Sequence, residues 1–250
     1  MRKILLKIEY NGKDFCGWQS QPNGRTIQEV LQQKISNLLN EEIHLFASGR
    51  TDAGVHAIGQ MAHFETNSNF DIRKLPQAIN SGLDKDVAVL SAKEVSSNFH
   101  ARYNVKNKTY LYKIYFSKIE KPLKNGLAIR VQTSSDKNSL DPCKKMLEAS
   151  KYFIGKHNFY GFCSSGTNVT DFVREIFDIN VRKIYDEVHI FIKGNGFLYN
   201  MVRIIVGTLV DVAKGSIKPE DIPQIIASQD REKAGKTMPA CGLYLFDVQY

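Results

Sequence analysis

The sequence predicts an α+β fold made of two similar halves, each with the element order β-α-β-β-α-β. Two observations lead to this class. Short strand-like apolar runs alternate with segments of helical periodicity, and the order of elements in residues 1–104 recurs in residues 105–250. The recurrence is one of element order and not of residue identity. Pairs of strands with no helix between them favour antiparallel pairing.

The first half opens with a strand-like run at Lys3–Tyr10. Thr26 and Glu29 have the spacing of a capping box, and the apolar residues that follow recur at helical intervals, which predicts a helix. The remaining elements expected in this half are strands near Ile43–Ala47 and Ile58–Thr66, a helix at Asp71–Ser81 and a strand near Val87–Val95.

The second half repeats this order. Its expected elements are a strand at Lys108–Phe116, a helix at Asp141–Tyr152, strands near Phe172–Arg182 and Val188–Lys193, a helix at Tyr199–Lys214 and a strand near Leu243–Val248. Gly215 is the expected C-cap of the long helix. The polar connection Lys118–Leu140 is the least regular part, and we interpret it as a linker or a mobile loop.

Composition excludes several classes of protein. With 42% hydrophobic and 24% charged residues, the chain is not intrinsically disordered. Its longest apolar stretch, Ile204–Val210, is far below the roughly 18 residues that a membrane span needs. Lys7 and Glu9 interrupt the N-terminal apolar run too early for an export signal. We therefore expect a cytoplasmic protein that does not enter a membrane.

No metal site is expected. The four cysteines are scattered without a C-x-x-C pair, which fits free thiols in a reducing compartment. The histidines show no H-E-x-x-H pattern, and no carboxylate cluster is suited to catalytic magnesium. A metal-dependent nuclease would therefore lack visible ligands.

Positive charge is concentrated in one segment. The chain carries a net charge of +8, and residues 100–130 contain eight Lys or Arg and a single acid, Glu120, for a local charge of +7. Such a segment attracts polyanions, although a solvated charged face is the plainer explanation of a basic run. Interleaved aromatic residues favour RNA or single-stranded DNA as the partner.

The strongest local signal is the segment Ala47–Ala57, in which two glycines bracket Arg50, Thr51 and Asp52 between two strands. Such a loop can present one carboxylate at the end of a sheet. In extended backbone Arg50 and Asp52 point the same way, and a neighbouring cation favours the ionised carboxylate. An ionised Asp52 could act as a nucleophile or a base. The alternative is an aspartate that caps a turn and forms a surface ion pair.

Two further residues are candidates. Arg203 lies inside the apolar helix and needs a partner if it is buried; Asp52 and Asp211 are possible, and a guanidinium that reaches water is the alternative. Tyr110 lies on a strand beside Lys108, where its ring could stack on a base, although a core position is the usual explanation for such a residue.

Several ordered motifs resemble the tRNA pseudouridine synthase A family along the whole chain. The segments that carry the resemblance are Tyr10–Gly12 with Phe15–Gln19, Gly49–Ala57, Phe99–Arg102 with Lys108–Tyr110, Asn195–Leu198 with Met201–Arg203, and Ala234–Gly235 with Pro239–Leu243. Around residues 127–133 this chain lacks the aromatic residues common in the family. Residues 155–170 resemble a family loop near the RNA, with no individual contact assigned.

The resemblance implies an isomerase that converts uridine to pseudouridine at positions 38, 39 and 40 of the tRNA anticodon stem-loop, without a cofactor. It implies that Asp52 is catalytic, that Tyr110 packs against the target base, that Arg203 pairs with the aspartate and that Arg50 helps to extract the base. It also implies that the two halves, 1–104 with the aspartate loop and 105–250 with the tyrosine and the arginine helix, form one continuous, mainly antiparallel sheet. The resemblance further implies that helices cover one face of that sheet, that a basic cleft binds the RNA and that the assembly is a homodimer.

Two rival functions differ in chemistry. A non-catalytic RNA-binding module would use the same basic and aromatic residues and leave the RNA unchanged, but it has no need of an acid among phosphates. A glycosidase would usually need a second carboxylate, and no motif pairs one with Asp52.

Overall fold

The computed structural model describes residues 1–132, 141–166 and 169–250. The chain divides into two compact units, one formed by residues 1–106 together with 244–250, the other by residues 107–243. Both are mixed α+β units with mainly antiparallel sheets, which confirms the predicted fold class. In the described ranges, no helix is long and apolar enough to cross a membrane.

The first unit has the predicted element order. Its elements are β1 (Arg2–Tyr10), α1 (Ile27–Leu39), β2 (Phe46–Ala47), β3 (His56–Thr66), α2 (Leu75–Asn80), β4 (Val87–Val95) and, from the end of the chain, β10 (Leu243–Gln249). Strands β4 and β3 flank β1 in antiparallel register, β2 pairs with the far part of β3, and β10 pairs with the start of β3 in parallel register. Helix α2 packs on β4, and α1 packs on α2.

Helix α1 begins where predicted, but its capping differs. Thr26 occupies the N-cap with extended backbone, yet its side chain makes no cap hydrogen bond, and among the described residues its hydroxyl has no partner. The first helical N–H groups are instead taken by backbone carbonyls, since Ile27 N donates to Gly17 O at 3.2 Å and Gln28 N donates to Trp18 O at 3.0 Å. The carbonyls of Gly17 and Trp18 therefore replace the capping box as acceptors for the first N–H groups of the helix.

The second unit has more elements than predicted. They are β5 (Asn107–Phe116), β6 (Ile129–Val131), α3 (Pro142–Ser150), β7 (Gly155–Asn158), β8 (Val173–Ile184), β9 (Glu187–Gly194), α4 (Met201–Lys214) and α5 (Ile222–Ser228). Strands β5, β9, β8 and β7 are neighbours in that order, all antiparallel, and β6 adds to β5 in parallel register. Strands β6 and β7 and helix α5 were absent from the sequence prediction.

The connection after β5 is more regular than predicted. Up to Gln132 it contains a 3-10 helix at Pro122–Lys124 and strand β6, so this part is not a structureless linker. The rest of the predicted connection, residues 133–140, and residues 167–168 of the loop compared with the family lie outside the described residues.

Helix α4 is the buried core of the second unit. Eleven of its residues are buried, and Gly215 ends the helix with φ of 81°, which confirms the predicted C-cap. The helix begins at Met201 and not at Tyr199, because Asn200 adopts left-handed backbone with φ of 61°. At Gly207 a Cβ would lie 1.9 Å from the carbonyl oxygen of Lys236, so only glycine allows this segment to lie against the helix.

Candidate active site

The loop that carries Asp52 connects β2 to β3. Asp52 and Arg50 are exposed, whereas Ser48, Thr51 and Val55 of the same loop are buried. Val55 N donates to Asp52 O at 3.1 Å, and Gly54 adopts a positive φ of 77°, so the backbone turns tightly just after the aspartate. The loop thus exposes its two charged side chains and buries the residues that hold it.

The turn that follows β1, residues 12–18, packs directly against this loop, and we call it the N-terminal turn. Trp18 N donates to Thr51 O at 3.0 Å, and Gly54 N donates to Phe15 O at 3.3 Å. A Cβ at Gly17, whose φ is 98°, would lie 2.7 Å from Thr51 O, and one at Gly12 would lie 2.0 Å from the carbonyl oxygen of Val55. These glycines allow a backbone-to-backbone approach that a side chain would prevent.

A buried polar network holds the loop from beneath. The Tyr10 hydroxyl lies 2.7 Å from Thr51 Oγ1, Ser48 Oγ donates to Gln60 Oε1 at 2.7 Å, and Gln60 Nε2 donates to Gly49 O at 2.9 Å. Burial raises the pKa of Tyr10 to about 12, against the opposing effect of its hydrogen bonds to Thr51 and Gln60. The phenol therefore stays protonated and serves as a fixed hydrogen-bonding group. The sequence analysis did not predict this network. The feature that could have indicated it is the polar Gln60 at an inward-facing position of a strand.

The histidine of the loop motif is structural. His56 is buried at the start of β3, its Nδ1 accepts a hydrogen bond from Gly12 N at 3.0 Å, and its ring stacks on Tyr244 of β10 at 4.6 Å. An Nδ1 that accepts from a backbone N–H carries no proton. This histidine thus connects the N-terminal turn, the end of the loop and the last strand.

Tyr110 lies on β5 of the second unit and is partly exposed. Its ring meets that of Phe197 edge to face, with centroids 5.1 Å apart and an interplanar angle of 88°. An edge-to-face contact fixes the ring plane through favourable quadrupole interaction.

Arg203 is partly buried on α4. Its Nη1 donates to Asn200 Oδ1 at 2.6 Å, and its Nε donates to Met238 O at 2.5 Å. Tyr112 on β5 donates to the neighbouring carbonyl of Pro239 at 2.6 Å, so β5, α4 and this segment meet here. Both of these acceptors are neutral, which fixes the direction of the guanidinium and leaves its charge uncompensated by them.

The four predicted site residues thus fall into two sets. Asp52 and Arg50 share one loop of the first unit, and Tyr110 and Arg203 belong to the second unit. Each set has its own supporting contacts. In the first unit, the braced loop presents the Asp52 carboxylate with the Arg50 guanidinium two residues away. This arrangement suits a nucleophile or a base.

The basic segment is less positive than its composition indicates. Lys121 pairs with Asp186, Lys124 pairs with both Asp186 and Glu187, and Arg130 pairs with Glu120 at 2.6 Å. Asp186 lies in the turn between β8 and β9 and Glu187 is the first residue of β9, both more than 60 residues further along the chain. Counting charges along the sequence could not find these partners.

Comparison with known proteins identifies the family. The family model described as tRNA pseudouridine synthase matches residues 7–104 and 149–250. The tRNA pseudouridine synthase A of Caldicellulosiruptor saccharolyticus is 47% identical over 250 residues, and that of Thermoanaerobacter sp. strain X514 is 42% identical; in both cases the alignment covers all of each chain. The chain therefore belongs to the tRNA pseudouridine synthase family, whose members are isomerases.

Proposed function

We propose that this protein isomerises uridine to pseudouridine at positions 38, 39 and 40 of the tRNA anticodon stem-loop, with Asp52 as the catalytic carboxylate. The observation that carries the proposal is the construction of the Asp52 loop. Its aspartate is exposed, whereas the residue before it is bonded on both sides, through its carbonyl to Trp18 and through its hydroxyl to Tyr10. A carboxylate on a braced loop loses little freedom when it meets its target.

The reaction rearranges atoms within one nucleotide. The bond between N1 and C1′ breaks, the uracil turns, and a bond between C5 and C1′ forms while the proton of C5 moves to solvent or to N1. Nothing is oxidised or reduced and no group is imported. Asp52 can serve this reaction by attacking C1′ or by taking a proton from C2′, and both routes need an ionised carboxylate.

The target uridine must leave its stack before it reaches Asp52, at a cost of a few kcal/mol. Arg50, exposed two residues before the aspartate, is suited to enter the space that the base vacates. Tyr110, held at a fixed angle by Phe197, is suited to pack against the flipped base. Arg203, whose guanidinium is oriented by Asn200 and Met238, is proposed as the cation that pairs with Asp52.

We extend the proposal to the roles of the two halves, the compartment and the oligomeric state. The half formed by residues 1–104 supplies the aspartate loop, the half formed by residues 105–250 supplies Tyr110 and Arg203, and a basic cleft receives the tRNA. The protein is proposed to act in the cytoplasm as a homodimer. Sedimentation analysis of the purified chain tests the dimer, and a mass of one chain would contradict it.

The decisive experiment replaces Asp52 by asparagine, which keeps the shape of the side chain and removes its charge. We expect Asp52→Asn to abolish pseudouridine formation in an unmodified tRNA transcript, read by chemical mapping, while tRNA still binds. Asp178→Asn, an exposed aspartate on β8, is the matched control and should retain full activity. Transcripts with cytidine at positions 38–40 should acquire no pseudouridine.

Two results would contradict the proposal. Full turnover by Asp52→Asn would reject the catalytic assignment. A wild-type protein that binds tRNA and leaves every uridine unchanged would instead support a binding module.

A further inference from the structure

The segment Phe99–Arg102, one of the motifs of the sequence, has no part in the chemistry described above, yet it builds an exposed group of rings in the first unit. We name Phe46, His63, His100 and Tyr103 the ring platform. His63 is its buried base, whereas the side chain of Tyr103 is 74% exposed and that of Phe46 is 49% exposed. Isolated exposed aromatic residues are ordinary on protein surfaces, whereas contiguous exposed apolar groups are typical of interaction sites.

The rings of the platform contact one another in sequence. Phe46 pairs with His63 across β2 and β3, and their rings stack with centroids 5.2 Å apart and an interplanar angle of 23°. His100 meets His63 edge to face at 4.7 Å, and Tyr103 stacks on His100 at 4.3 Å. Because one face of the Tyr103 ring lies on the imidazole, its exposed area is on the remaining face and edges.

Hydrogen bonds hold the platform rigid. Ala101 N donates to His63 Nδ1 at 3.1 Å, the Tyr250 hydroxyl donates to Ala101 O at 2.8 Å, and Lys3 Nζ donates to the carbonyls of Ser97 and Phe99. His100 N also donates to Asn104 Oδ1 at 2.6 Å. A ring that is already fixed loses little conformational entropy when a ligand stacks on it.

The charges around the platform favour a polyanion. From Val95 to Ile119 the chain contains no acidic residue, and Arg102 and Lys106 are exposed within this segment. The Arg102 guanidinium lies 5.8 Å from the centroid of the Tyr103 ring. The nearby acid Glu65 is paired with Lys3 at 3.0 Å. Exposed rings beside unopposed cations are the combination with which proteins bind single-stranded nucleic acid.

We propose that the ring platform stacks an unpaired nucleotide of the tRNA substrate other than the target uridine, with Tyr103 as the stacking residue and Arg102 and Lys106 near its phosphates. The inference rests on the proposed function for the identity of the RNA. His63 lies seven residues along β3 from His56, where the aspartate loop ends, a distance of roughly 23 Å. We therefore assign the platform to binding and not to the chemical step.

The first test compares the affinity for unmodified tRNA. Tyr103→Ala should raise the dissociation constant on the order of tenfold, because it removes the ring on which the base stacks. Tyr103→Phe keeps the ring and should bind within twofold of wild type. Tyr185→Ala is the matched control, since Tyr185 is 95% exposed in the turn after β8 and has no place in the platform. The single-turnover rate at saturating enzyme should stay within twofold of wild type for Tyr185→Ala.

A second readout does not depend on the loss of a side chain. Trp18 is the single tryptophan of the chain and is buried, so Tyr103→Trp adds an exposed fluorophore at the platform. Stacking of a base should quench this emission when tRNA is added, whereas Tyr185→Trp should remain unquenched. Combining Tyr103→Trp with Asp52→Asn should preserve the quenching, which separates the platform from the chemistry.

Three outcomes would overturn the inference. They are unchanged affinity of Tyr103→Ala, no quenching of Tyr103→Trp, and a change in sedimentation mass of Tyr103→Ala, which would assign the rings to an interface between proteins. Failure of the proposed function has a different signature: no pseudouridine forms with the wild-type protein, whatever the platform variants do to binding.

Discussion

Thr51 connects the exposed chemistry of the loop to the buried interior. Its hydroxyl is 2.7 Å from that of Tyr10, its carbonyl accepts from Trp18 N, and the next residue is Asp52. The orientation of the Asp52 carboxylate therefore depends on a buried hydroxyl. We assign Thr51 a positioning role.

We predict that Thr51→Val lowers kcat roughly tenfold with little change in KM for tRNA. The substitution keeps the shape of the side chain and removes one buried hydrogen bond, with a loss of about 1–2 kcal/mol in the free energy of unfolding. Single-turnover kinetics and thermal unfolding provide the measurements. Thr51→Ser restores the hydroxyl and should recover most of kcat, whereas equal losses in both variants would contradict the assignment.

At the residue level, the sequence singled out the exposed charged residues of the loop and not the buried residues that support them. Asp52 and Arg50 stand out because glycines bracket them. Tyr10 and Gln60 do not, since Tyr10 is 41 residues from Thr51 and their contact depends on how β1 and β3 pair. Only the inward position of a polar side chain on β3 pointed to such a network.

Elements with strong periodicity were predicted well. Helix α4 has a continuous apolar pattern and a glycine stop, and both its identity and its end were confirmed. Strands β6 and β7, of three and four residues, are too short for any period, and α5 has seven residues. These elements depend on neighbours already in place, β5 for β6 and β8 for β7.

Strand β3 carries a buried histidine that makes stability depend on pH. Burial, together with His100 and Lys3, lowers the pKa of His63 to about 4, against the opposing effect of Glu65. The unfolded chain, in which this group has its ordinary pKa of about 6.5, takes up the proton first. The contribution of the neutral His63 side chain to the free energy of unfolding is thus fully present above pH 6.5. It is lost as the pH falls from 6.5 to 4.

We predict that His63→Asn, which keeps an acceptor for Ala101 N, flattens this dependence. The wild-type free energy of unfolding should fall by roughly 2 kcal/mol more than that of the variant between pH 7 and pH 4. Denaturant titrations at several pH values measure the difference. His44→Asn, at an exposed histidine, should retain the wild-type slope. A parallel loss in wild type and His63→Asn would show that other groups govern acid unfolding.

Across the whole molecule, the distribution of charge matters more than its sum. Lys124 belongs to the most basic segment of the sequence, yet its ammonium contacts Asp186 and Glu187. Lys106 is exposed in the stretch that lacks acids. A neutralised ammonium has few counterions to release when RNA binds, so these two lysines should differ in their effect on salt dependence.

We predict that Lys106→Gln reduces the slope of log affinity against log salt concentration by roughly 0.7–0.9, the value for one phosphate contact. Lys124→Gln should leave this slope unchanged. Filter binding of tRNA over a range of salt concentrations measures both variants. A smaller slope for Lys124→Gln than for Lys106→Gln would reverse the assignment of RNA contacts.

The pairing of β10 with β3 has a consequence for biosynthesis. Tyr244 stacks on His56 directly after the aspartate loop, although residues 107–243 separate the two parts of the first unit along the chain. A ribosome translates from the N-terminus, so β1 to β4 are synthesised before β10. They remain without this strand while the second unit is made. The support beneath the loop is therefore complete only when translation has passed residues 244–250, and nascent chains should gain activity only after that point.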